Sequence, residues 1–188
     1  MKKIIVILCI ISLVLVPSTL SMENIKNSIS SQNFDSCWTM LISEFGINGS
    51  TANVTEFNRD GNIIWQITDL SIPLDSERLP NGNTLITLHG EEKVIEYNKL
   101  GQKLWIEPGL ALPTDAERLP GNHTLISNFR NGLVLEVAEN GTTVWQMTDL
   151  HKPLDVERLP NGNTLIAEGE IWPYGRVLEV DRDGNEVL

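Results

Sequence analysis

The chain has 188 residues, 41% of them hydrophobic, with 14 Gly and 9 Pro. That composition belongs to a globular protein and excludes disordered and collagen-like classes. Its 25 acidic and 14 basic side chains give a net charge of −11 at pH 7, which excludes nucleic acid and anionic lipid as partners of the bulk surface.

In chain order, the first segment reads as an export signal. Lys2 and Lys3 form a basic start, Ile4–Val16 is an unbroken apolar run, and Pro17 ends it before the small residues Thr19 and Ser21. Residues 1–21 are therefore expected to be a secretory signal peptide, with an apolar run short for a spanning helix, and an uncleaved membrane anchor is the weaker alternative. The expected location is secreted or at the cell surface. Removing this segment deletes two lysines and no acid, so −11 becomes −13. Cys9 leaves with it, and Cys37 remains alone, so no intrachain disulfide holds the domain. Residues 22–36 are rich in Ser and Asn, lack periodicity and read as a linker.

From residue 37 to 188 the chain is a repeat. The decapeptide Glu-Arg-Leu-Pro-Asn-Gly-Asn-Thr-Leu-Ile stands at Glu77–Ile86 and Glu157–Ile166, with a near copy at Glu117–Ile126, so the starts fall 40 residues apart. Around it the unit has four short segments of β-branched and aromatic residues separated by Gly, Pro and Asn, which are strand and hairpin signals. The first is Leu74–Leu79, echoed at Pro113–Leu119 and Leu154–Leu159. The second is Thr84–Leu88, with Thr39–Ser43 as a candidate copy. The third is Val94–Tyr97, echoed at Val54–Phe57, Val134–Val137 and Val177–Val180. The fourth is Ile63–Ile67, Lys103–Ile106 or Thr143–Met147.

Four antiparallel strands repeated at about 40 residues predict an all-β fold, a β-propeller of four-stranded blades. The blades fall at about 37–67, 75–106, 115–146 and 155–188. Three to four blades make a small or incomplete ring, and self-association is one way to complete it. A solenoid is the alternative. Trp65, Trp105 and Trp145 each follow the turn glycines Gly61, Gly101 and Gly141 by four residues, so they are expected to pack outer strands against neighbouring blades. Arg78, Arg118 and Arg158 recur inside the decapeptide and are expected to serve inter-blade ion pairs.

The repeated Asp-x-Glu-Arg-Leu-Pro-Asn-Gly-Asn-Thr-Leu-Ile resembles blade motifs of arylsulfotransferase-type propellers. The Gly-x-x-x-Trp spacing resembles the docking motif of pyrroloquinoline-quinone-type propellers. The resemblance covers roughly residues 54–188. It implies a propeller fold, an exported protein and, in the family's enzymes, sulfuryl transfer between phenols through a histidine nucleophile with His and Arg in the channel. The family commonly has His just before the inner-strand Asp. Here Leu74, Thr114 and Leu154 precede Asp75, Asp115 and Asp155.

Antiparallel order places the second-to-third loops and the blade-to-blade connections at one end. That end gathers His89, Arg130, His151 and the insertion containing Trp172 and Tyr174, and the strands bearing Asp75, Asp115 and Asp155 begin there. Converging aromatic rings, a cation and carboxylates make this the expected binding end for a small-molecule or protein ligand. If the chain is an enzyme, His151 or His89 is the candidate nucleophile and Arg130 the anion contact. No cofactor and no metal site are expected. The hard-oxygen alternative for the Asp and Glu rings is calcium. Asn48, Asn53, Asn122 and Asn140 lie in Asn-x-Ser/Thr sequons. The expected function is a secreted, non-catalytic binding module. The alternatives are the sulfotransferase and a structural repeat of a surface assembly.

Overall fold

Fourteen strands, each of five to eight residues, account for almost all regular structure in the computed structural model, which describes residues 39–44, 46, 51–169 and 175–187. The segments expected to be signal peptide and linker, most of the insertion after Glu168 and Asn48 lie outside the described residues. The strands are β1 (Met40–Glu44), β2 (Ala52–Phe57), β3 (Ile63–Leu70), β4 (Pro73–Arg78), β5 (Thr84–Leu88), β6 (Lys93–Tyr97) and β7 (Lys103–Glu107). They continue as β8 (Pro113–Arg118), β9 (Thr124–Asn128), β10 (Leu133–Val137), β11 (Thr143–Met147), β12 (Pro153–Arg158), β13 (Thr164–Glu168) and β14 (Arg176–Val180).

They form four antiparallel meanders: β1-β2-β3, β4-β5-β6-β7, β8-β9-β10-β11 and β12-β13-β14. The two complete sheets define the unit. β4, β8 and β12 are the inner first strands, and they neighbour one another across sheets. β1 packs on β4 as β5 packs on β8 and β9 on β12, so β1 holds the second-strand place of its sheet. In sheet 4 the fourth-strand place is taken by a short return, with a Val180–Glu186 bridge and Val187 N–H donating to Glu179 O at 2.8 Å. Packing joins each sheet to the next. Among the described residues no comparable packing joins sheet 4 to sheet 1, so the β-propeller is an open arc.

The turns between strands explain the glycine and asparagine positions. Gly101 and Gly141 close the third-to-fourth hairpins at φ of 76° and 80°, a left-handed conformation that a Cβ would strain. In the first-to-second hairpin, Gly82 has φ of 85°, and the third sheet places Asn122 there instead, at φ of 62°. Asn is the residue besides glycine that tolerates this region best.

Burial follows strand position. β5 and β9 are buried at every residue, since both faces of a middle strand meet a neighbouring sheet. β7 and β11 alternate between half-buried and exposed. The apolar cores therefore lie between sheets. Sheets 1 and 2 enclose Val54, Ile86, Ile95 and Trp65. Sheets 2 and 3 enclose Leu85, Val94, Ile126 and Trp105. Sheets 3 and 4 enclose Leu125, Val134, Ile166 and Trp145. No sheet has a core of its own, so a single repeat cannot fold alone.

Ile126 has no exposed surface, whereas Leu100 at a turn tip is 82% exposed. Chemical denaturation should show Ile126→Ala losing about 2–5 kcal/mol of stability. Leu100→Ala should stay within about 0.5 kcal/mol of the parent.

Candidate functional site

The repeated charged residues are placed by the inner strands. Each of β8 and β12 has one edge paired within its own sheet and one edge facing the preceding sheet. Backbone N–H groups on that second edge need acceptors, because buried unpaired donors are costly. Carboxylates of the preceding inner strand provide them. Glu77 Oε2 accepts from Arg118 N–H at 2.9 Å, and Glu117 Oε2 accepts from Arg158 N–H at 2.7 Å. Asp115 Oδ2 accepts from Val156 N–H at 3.1 Å. The i, i+2 spacing of Asp and Glu matches the alternation of N–H groups along a strand edge. Asp75 and Asp115 are buried, and Asp155, on the last inner strand, is exposed.

The repeated arginines join three elements. Arg118 Nη2 donates to Glu96 Oε2 at 2.8 Å on the third strand of the preceding sheet, and its Nη1 donates to Asn122 O at 3.1 Å in its own turn. Its guanidinium lies 4.8 Å from the Trp105 ring centre. Arg158 repeats this with Glu136 at 2.9 Å, Gly162 O at 3.1 Å and Trp145 at 5.2 Å. Arg78 repeats it with Glu56, Gly82 O and Trp65. The indoles continue the tie, since Trp105 Nε1 donates to Glu139 O and Trp145 Nε1 to Arg182 O, both at 2.9 Å. Planar guanidinium groups suit such combined fork and stacking contacts.

One glutamate of this set departs from its copies. Asn83 and Asn163 hold Glu96 and Glu179, but His123 stands in that place in the third sheet, with Nδ1 2.7 Å from Glu136 Oε1. Arg182 Nη1 also donates to Glu136 Oε2 at 2.7 Å. Burial alone would raise the Glu136 carboxyl. The hydrogen bonds from His123 and Arg182 and the charges of Arg182 and Arg158 outweigh it and hold the group below the ordinary glutamate range. Burial pulls the Arg118 guanidinium down, against the charges of Glu96, Glu77 and Glu139.

The opposite end is built from the connections between sheets. Residue 72, 112 or 152, just before each inner-strand proline, has φ near +50° (Ile72 49°, Leu112 55°, Lys152 50°). That turn seats each connection between two loops. Leu110 N–H donates to Glu92 O and Arg130 N–H to Ala111 O, both at 3.0 Å. A side chain at the end of the second strand caps the connection: Asn128 Oδ1 accepts from Ala111 N–H at 2.7 Å, and Glu168 accepts from His151 N–H.

The candidate residues lie across this end. His89 is half-buried, with Nδ1 donating to Pro113 O at 3.1 Å, which directs Nε2 away from that carbonyl. Phe129 occupies the position equivalent to His89 in the next sheet, and their rings meet edge-on at 6.5 Å. Lys152 Nζ lies 5.7 Å from the Phe129 ring centre. His151 precedes Lys152, and its residue is exposed. Arg130 is 63% exposed and 3.7 Å from Glu92. His89, Phe129 and Lys152 thus form a line across sheets 2 to 4, with Arg130 and His151 beside it. Trp172 and Tyr174 lie outside the described residues. Among the described residues no cluster of His, Cys, Asp or Glu is arranged to hold a metal ion. Phe129 and Lys152 are absent from the sequence expectations, though one signal marks them: equivalent positions hold His89, Phe129 and Gly169, and Ile72, Leu112 and Lys152.

No protein-family model matches the sequence, and no curated protein is significantly similar to it. Solved structures do resemble it. A protein of unknown function from Bacteroides caccae is 16% identical with a TM-score of 0.60, covering 73% of this chain and 58% of that one. Virginiamycin B lyase from Staphylococcus aureus is 13% identical with a TM-score of 0.57, covering 83% and 56%. BBS1N, solved in complex with ARL6DN, is 16% identical with a TM-score of 0.53, covering 79% and 49%. The likeness is one of fold, the β-propeller, and the chain spans about half the length of these proteins.

Because folding holds Glu136 below its ordinary value, its contribution to stability is complete above the unfolded-state value. It is lost as pH falls through the folded-state value. Glu136→Gln should cost about 3–5 kcal/mol near neutrality. It should also flatten the loss of stability that the parent shows below about pH 4. His123→Asn, which restores the residue of the other copies, should stay within about 0.5 kcal/mol by denaturation, with His123→Ala about 1 kcal/mol lower.

Proposed function

We propose that this chain is an exported, non-catalytic β-propeller module that binds a small-molecule or protein ligand at the end formed by the sheet-to-sheet connections. One observation carries this reading. The repeated Asp, Glu, Arg and Trp residues are engaged between sheets, while the unrepeated side chains His89, Phe129, Arg130, His151 and Lys152 share one end. Residues that recur in the sheets and complete the same inter-sheet contacts are scaffold, and function belongs to the positions where the copies differ. Export follows from the basic-apolar-small pattern of residues 1–21. The proposal needs no cofactor. Completion of the ring by self-association accords with the open arc.

The competing reading is sulfuryl transfer between phenols, with His89 or His151 as nucleophile and Arg130 on the anion. A covalent sulfuryl-histidine needs positive groups gathered around one ring. The inner-strand positions that would carry His hold Leu74, Thr114 and Leu154, and the carboxylate beside Thr114, Asp115, caps the Val156 N–H. The full chain should show no sulfuryl transfer from a phenyl sulfate to a second phenol. Turnover that disappears in a folded His89→Ala/His151→Ala double variant would replace the binding reading with the enzymatic one.

A further inference from the structure

The sequons of this chain are not equivalent once folded. A transferase that modifies Asn-x-Ser/Thr must reach both the Asn amide and the hydroxyl two residues on, so both must be at the surface. Asn53 lies within β2, its Oδ1 is buried, and Thr55 is 2% exposed. Asn122 is exposed, but its Nδ2 donates to Glu139 at 3.3 Å and Thr124 has no exposed surface. Asn140, Gly141 and Thr142 are all exposed, at the tip of the hairpin between β10 and β11. The equivalent tip in sheet 2 is Leu100, 82% exposed.

The local turn also differs from its copies in a way that fixes Asn140. In the other hairpins a side chain two residues earlier caps the turn. Asn58 accepts from Asp60 and Asn62 N–H, Asn98 from Leu100 and Gln102, and Asp181 from Asp183 and Asn185. The third sheet has Ala138 there, which offers no acceptor. Asn140 supplies one itself: its Oδ1 accepts from Thr142 N–H at 3.0 Å. That bond closes an Asx turn over the sequon and directs the amide nitrogen outward. Among the described residues Nδ2 has no hydrogen-bond partner. From the other side, Trp105 Nε1 holds Glu139 O at 2.9 Å, so the tip stands on a fixed base.

We propose that Asn140 is an N-glycosylation site, and that among the described sequons it alone is built to be modified and to carry a glycan without disturbing the fold. The co-substrate class is a lipid-diphosphate-linked oligosaccharide. Asn140 Nδ2 attacks the anomeric carbon, an N–C bond forms and the C–O bond to phosphate breaks. The lipid diphosphate leaves with the electron pair, and the amide loses one proton to a base of the transferase. A glycan at Asn140 lies at the hairpin end, away from the candidate binding residues at the connections. In the cell the site rests on the export reading above.

The folded full chain, purified without glycan, is incubated with a purified oligosaccharyltransferase and its lipid-linked oligosaccharide, and intact mass and peptide fragments are measured. One glycan increment on Asn140 is expected, abolished by Asn140→Gln and by Thr142→Ala with the circular dichroism spectrum unchanged. The denatured chain should gain further increments at Asn53 or Asn122. No increment on the folded chain, or one placed at Asn53 or Asn122, overturns the proposal. Modification at Asn140 in this reaction, together with glycan-free protein recovered from the producing cells, overturns the export reading and leaves the site standing.

Discussion

An inner strand of this arc has a backbone edge that no strand of its own sheet can pair, and the rest of the architecture depends on how that edge is satisfied. Leaving such N–H groups buried and unbonded costs about 1–3 kcal/mol each. Here the preceding repeat answers with carboxylates, at Glu77 to Arg118, Asp115 to Val156 and Glu117 to Arg158. Because the acceptors are side chains, the sheets can stay separate instead of fusing into one continuous sheet. Because they are charged, the bonds are stronger than neutral ones. The same unit then adds an arginine that ties the third strand of the preceding sheet to its own turn and stacks on that sheet's tryptophan. Apolar cores and the arginine stack are thus two layers of one interface used three times, and the edge carboxylates add a third layer at the last two.

This interface contributes to the acidic balance of the chain. The recurring set holds two acids on the inner strand and one on the third strand against one recurring arginine. It also separates scaffold from function. A residue found in every repeat is explained by the interface it completes. A residue found once, such as His89, Phe129 or Lys152, is not demanded by the repeated interface, even where, like His89, it bonds to the next sheet, and is the natural place for chemistry specific to this protein. His123 is the instructive exception, an unrepeated residue that nonetheless takes over the scaffold role of Asn83 and Asn163.

Much of the fold was legible because local signals agreed with one another. The glycine turns, the alternating segments and the 40-residue spacing each predict short antiparallel strands, and the strands begin and end within a residue or two of those segments, except β3, which runs three residues past Ile67 to Leu70. The tryptophan packing was legible from recurrence alone. The arginine partners were not, since Glu56, Glu96 and Glu136 are three acids among 25. Their constant offset of 22 residues from Arg78, Arg118 and Arg158 is a signal that pairwise reading of the copies would reveal. The role of Asp115 and Glu117 was hidden for a different reason: their partners are backbone N–H groups, which leave no mark in a sequence. The proposed binding end was legible only as a set of loops, because a line of contacts such as His89–Phe129–Lys152 depends on how neighbouring sheets turn.

The most direct measurement of the central claim is native-state hydrogen exchange at the Arg158 amide in the parent and in Glu117→Ala. If the Glu117 carboxylate caps that inner-strand edge, the variant should exchange about 10- to 100-fold faster there, the factor expected for losing a hydrogen bond to a charged acceptor. Amides of β9 and β10, paired within their own sheet, should change far less. Unchanged exchange at Arg158, or acceleration spread evenly over all four sheets, would contradict the account.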